Sequence, residues 1–129
     1  MSLDPRDTFR TLHAAAAARF PRAAVVRFRY GRASEFPRKR NYAYCVDDPS
    51  GPVIVLAPKA RRADAQRVLG VLAHEWGHAL AFLAGVPGHT ERDADAIAER
   101  VFDLRIQYDN DDVQTVGEGT RPRPIRLGE

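Results

Sequence analysis

At 129 residues with a net charge of +3, the chain has the length of one domain with a single core and leaves no room for two lobes. No run of about 18 apolar residues occurs, which excludes a transmembrane helix, and the one cysteine, Cys45, excludes an intrachain disulfide. Apolar residues make up 44% and charged residues 29%, slightly below and slightly above the globular norm. Met1 to Arg6 lacks a basic segment followed by an apolar one, so no signal peptide is expected. With a lone cysteine, the expected compartment is the reducing cytoplasm. The charge is uneven. Residues 1–62 carry 13 Lys+Arg against 5 Asp+Glu, and residues 63–129 carry 7 against 12. The basic residues are densest from Arg27 to Arg40. A solvated strand face and a basic loop are the plain reading of that stretch. Contact with nucleic acid or an acidic partner is the sharper one.

In chain order, Thr8 to Phe20 predicts a helix, with Asp7 as N-cap and Pro21 ending it. Ala23 to Tyr30 alternates and is rich in β-branched and aromatic residues, the pattern of a strand. A basic loop, Gly31 to Arg40, leads to a second strand at Asn41–Val46. Asp47 to Pro52 has strong turn chemistry, and Val53–Ala57 follows as a short buried strand, so strands two and three form a hairpin. A long helix is expected over roughly Ala63 to Ala84, stopped by Gly85-Val86-Pro87-Gly88. Thr90 then caps another helix, with Asp93 completing a capping box. That helix runs to about Gln107 on an apolar stripe of Ala94, Ile97, Ala98, Val101 and Leu104. The order α-β-β-β-α-α predicts an α+β domain over residues 1–107. From residue 108 the acidic and Pro/Gly/Arg-rich sequence predicts an irregular tail to Glu129.

The chemistry lies in His74-Glu75-Trp76-Gly77-His78, inside an apolar stretch, Val68 to Leu83, whose only charge is Glu75. Histidines four apart share one helix face and can direct their ring nitrogens at one cation, zinc above all. Glu75 is rotated about 100° from His74. That is too far to ligate, but it suits a general base acting on water held by the cation. Downstream, Glu91 and Asp95 are again four apart on one face, preceded by His89. One carboxylate of such a pair can complete the metal set while the other holds a ligand histidine by its second ring nitrogen. Asp93 suits the cap and Glu99 a solvated face.

Together these motifs resemble the gluzincin group of zinc metallopeptidases. The glycine before the second histidine and the acid-x-x-Ala-Asp helix look most like ImmA/IrrE-type peptidases and, more distantly, the minigluzincins. The resemblance covers about residues 53–107, and only the two motifs within it are specific. It implies a small zincin-like fold and endopeptidase chemistry on a peptide laid along an edge strand. His74, His78 and Glu91 would bind Zn²⁺, Glu75 would be the base and Asp95 would orient His74. Only twelve residues separate His78 from Glu91. In a simple antiparallel hairpin turning near Pro87, Asp95 falls level with His78, so Asp95 and His89 stand as alternative third ligands. No sizeable C-terminal lobe is expected after the ligand helix to stabilise an oxyanion. Tyr108 and His89 are the candidates, with Tyr42 and Tyr44 behind them.

Two functions follow as expectations. One is a zinc-dependent peptidase acting on a peptide or protein substrate. The other is a weakly active or inactive metallopeptidase-like module that binds nucleic acid or a protein assembly, such as a phage-type one, through its basic N-terminal half. No membrane partner is expected.

Overall fold

The computed structural model describes residues 4–117. Helix α1 spans Pro5–Arg19. It starts a turn earlier than Thr8, because Asp4 rather than Asp7 is the cap: its carboxylate accepts from the Arg6 amide at 2.9 Å. Pro5 occupies the first turn, where a missing N–H costs nothing. Pro21–Val25 then coils as a 3₁₀ turn, so strand β1 is only Arg27–Tyr30 and does not reach back to Ala23. The expected hairpin is present. Strand β2, Ala43–Asp48, runs antiparallel to β3, Gly51–Leu56, with Cys45 opposite Ile54. Gly51 turns the corner at a φ of 125°, a conformation that favours glycine. The sheet order is β1-β3-β2 and β1 pairs with β3 in parallel. β3 is therefore central, consistent with its unbroken apolar run, and β2 keeps one edge unpaired.

Helix α2, Ala65–Leu83, is capped by Asp64, whose carboxylate accepts from the Arg67 amide. It is buried almost all round from Val68 to Gly77. On one side it meets the sheet through Ile54 and Leu56, and on another Trp76 lies within aromatic contact of Phe9 and Phe102. Helix α3, Glu91–Phe102, carries the full capping box of Thr90 and Asp93. It ends five residues before Gln107, where Asp103 takes up a left-handed conformation. Leu104, read as part of the helical stripe, is buried beyond the helix end.

The chain then makes a two-stranded ribbon, β4 (Gln107–Tyr108) with β5 (Gln114–Thr115). Val113 and Val116 belong to the main core. The boundary expected at residue 107 thus falls inside packed structure, and residues 108–117 join the body instead of starting a tail. The physical reason is two residues of α2. Arg67 pairs with Asp109 and donates to the Gln114 carbonyl, while Gly70 leaves space for the backbone of Thr115. The rest of the expected tail, residues 118–129, lies outside the described residues. The described residues form a small α+β architecture of three α-helices and a three-stranded mixed sheet, with α2 packed on the sheet and α3 packed on α2. Among the described residues no helix is long and apolar enough to cross a membrane.

Candidate metal centre

The site forms where α3 crosses α2. Gly77 sets the crossing: a Cβ placed on it would come within 2.0 Å of the Ala94 carbonyl oxygen. With only hydrogen there, the two backbones touch, and Glu91, the first residue of α3, is brought against His74 and His78. Its Oε2 lies 2.5 Å from His74 Nε2 and 3.0 Å from His78 Nε2, and the two ring nitrogens are 3.1 Å apart. His74, His78 and Glu91 thus form a group able to hold one metal ion. A tetrahedral site with bonds of about 2.0–2.1 Å has donor edges of roughly 3.3 Å; the two edges at His78 Nε2 come close to it, and the edge from His74 to Glu91, at 2.5 Å, is the short one. Two imidazoles and a carboxylate also match the donor chemistry that zinc accepts.

Asp95 takes the other side of His74. Its Oδ1 accepts from His74 Nδ1 at 2.6 Å, and its Oδ2 accepts from the Tyr108 hydroxyl at 2.7 Å. His89 stands behind His78, with Nε2 2.7 Å from His78 Nδ1. Neither alternative third ligand reaches the triangle, because each is already bonded to the outward nitrogen of a histidine. The same contacts remove Tyr108 and His89 as oxyanion donors facing the site. Tyr44 is also engaged, donating to Glu35, while Tyr42 lies under Lys59 and Arg67.

The electrostatics follow from burial and proximity. Burial works against a charged His74, but the bonded Asp95, with Glu75 and Glu91 nearby, outweighs it and raises the imidazole to about 9. Burial of Glu75, which is 6% exposed, pushes its carboxyl up to about 7. The charge of His74 opposes that rise, while Glu91 and Asp95 add to it. Burial lowers His78, against the pull of Glu91. Desolvation works to raise Glu91, but the proximity of His78 and His74 outweighs it and lowers the carboxyl. The two carboxylates beside His74 thus favour its protonated, positively charged form.

An open cleft of about 490 Å³ reaches the triad. Tyr42 to Cys45, leading into and along β2, line one wall, and Arg40, Asp112 and Gln114 lie at its rim. Arg40 and Asp112 are 3.7 Å apart. Burial pushes the Cys45 thiol up, with Glu75 and Asp47 adding to the effect, so it stays protonated. Sequence reasoning missed the rim residues and the use of His89. Asp112 and Gln114 come from the ribbon, which carries no motif. His89 had a signal, a histidine directly before a capped helix, but the spacing to its partner is not a ligand spacing. Comparison of the chain with protein-family models, curated proteins and solved structures found no match in any of the three.

Proposed function

We propose that the protein is a zinc-dependent peptidase with a small zincin-like fold. The observation that carries this reading is the convergence of His74, His78 and Glu91 on one point, beside a buried Glu75 and below an open cleft. Zinc, when bound, supplies Lewis acidity at a peptide carbonyl and acidifies water at that position. His74 and His78 offer Nε2, and Glu91 offers its carboxylate from the exposed side of the cleft. Asp95 holds the His74 ring and its Nδ1 proton. Glu75 takes a proton from the attacking water on its carboxylate and passes it to the departing amine. A carboxyl near neutrality suits both halves of that transfer. The unpaired edge of β2 offers backbone groups to an extended peptide, in the manner of strand addition.

The alternative, a nucleic-acid-binding or assembly module, draws less support. From its basic stretch, Arg27, Arg29 and Arg40 already face Asp48, Glu35 and Asp112. Glu75→Gln separates base from ligand. It should retain one zinc per chain while hydrolysis of unstructured peptides falls roughly 10²–10⁴-fold. Hydrolysis at the wild-type rate in that variant would remove Glu75 from the mechanism.

A further inference from the structure

His89 is held at both ring nitrogens. Nδ1 lies 2.6 Å from the Val86 carbonyl oxygen, and Nε2 lies 2.7 Å from His78 Nδ1. A carbonyl only accepts, so the proton of the first bond belongs to His89 Nδ1. A ring that carries only that proton leaves His89 Nε2 an acceptor. The proton of the second bond therefore sits on His78 Nδ1. That leaves a lone pair on His78 Nε2, facing His74 Nε2 and Glu91 Oε2; an ionised carboxylate also only accepts, so this nitrogen and oxygen converge as donors to a cation and not on each other. We propose that His89 is a positioning residue, relaying the Val86 carbonyl to His78 and holding His78 in the one tautomer whose Nε2 lone pair points into the donor triangle. The proposal rests on the reading of His74, His78 and Glu91 as zinc ligands.

The packing keeps the relay in register. The Phe82 ring stands edge-on to His89 with centroids 4.8 Å apart, and the Val86 amide donates to the Ala81 carbonyl at 3.0 Å. Both ends of the relay are thereby tied to α2, the helix that carries His78. The short link from His78 to Glu91 is thus part of the site, and its turn at Val86 supplies the terminal acceptor. The two histidines receive different support. His74 leans on a carboxylate, which raises its basicity, and His78 leans on a second imidazole, which brings no negative charge to it.

The test compares zinc affinity of the full chain, by competition with a chelator, for wild type, His89→Gln and His89→Met. Glutamine can accept from His78 Nδ1, whereas methionine of similar length is only a weak acceptor. We expect His89→Gln within about threefold of wild type and His89→Met roughly 10–100-fold weaker, with unchanged circular dichroism. Equal affinities for Gln and Met would overturn the proposal, since a packing role treats them alike. Long-range ¹H–¹⁵N spectra of wild type, recorded without metal at pH 8, read the tautomer with no substitution. A proton on His78 Nδ1 supports the relay and a proton on Nε2 overturns it. Wild type that binds no zinc while His78 is protonated at Nδ1 would sink the functional reading and leave the relay standing.

Discussion

The residue that concentrates the site's energetics is His74, buried to 2% exposure between the carboxylates of Asp95 and Glu91. Without a cation its protonated form is the stabilised one, raised from 6.5 to about 9. A raised base contributes fully below its unfolded value and loses that contribution as pH rises through its folded value. Glu75 acts in the same direction lower down, since ionising it in the folded core becomes costly between 4.5 and about 7. Melting temperature in the presence of chelator should therefore fall from pH 6.5 to pH 9. With zinc bound the sign reverses, because metal must displace the His74 proton and binds more tightly as that proton becomes easier to remove. Calorimetric titration in buffers of different ionisation enthalpy should show proton release on zinc binding at pH 7. A chelated protein that grows more stable from pH 6.5 to pH 9 would contradict this charge assignment.

Among the elements, the crossing of α2 and α3 decides which acid meets the histidines. Much of this pair was legible in the sequence. The capping box at Thr90 and Asp93, the stop signal at Gly85 and the histidine spacing all rest on local backbone chemistry, which short patterns report well. The level at which the helices meet was not legible from hairpin geometry, because a turn near Pro87 would bring Asp95 beside His78. Contact between Gly77 and the Ala94 backbone sets the crossing instead, placing Glu91 on the triangle and Asp95 on the far nitrogen of His74. That contact depends on two small residues from separate elements, a pairing that neither motif displays by itself. Gly77→Ala would force a methyl to within 2.0 Å of the Ala94 carbonyl oxygen, a backbone atom that no rotamer change can move. Overpacking of this kind costs about 1–3 kcal/mol, and the shift of α3 should weaken zinc binding as well. Thermal denaturation and zinc competition on the same sample measure both effects. Wild-type values in both would mean that the crossing is not set at Gly77.

Across the whole molecule, the segment after α3 was the least legible part. Its acids and turn residues read as a tail, yet Val113 and Val116 enter the core and Tyr108 reaches Asp95. Isolated apolar residues in a polar stretch reveal burial only once a partner surface is known, here the side of α2 bearing Arg67 and Gly70. The ribbon therefore supports the site from behind while Asp112 and Gln114 border its cleft. The basic N-terminal half is likewise less free than its composition implied, since several of its arginines are paired on the surface. Helix, sheet edge, loop and ribbon converge on one candidate metal centre. Diffraction from crystals of the zinc-loaded protein, collected at the zinc absorption edge, examines it directly. A single anomalous peak bonded to His74 Nε2, His78 Nε2 and the Glu91 carboxylate at about 2.0–2.2 Å is the predicted result. An ordered chain with no ion at that point, or an ion held by Asp95 or His89 in place of Glu91, would contradict it.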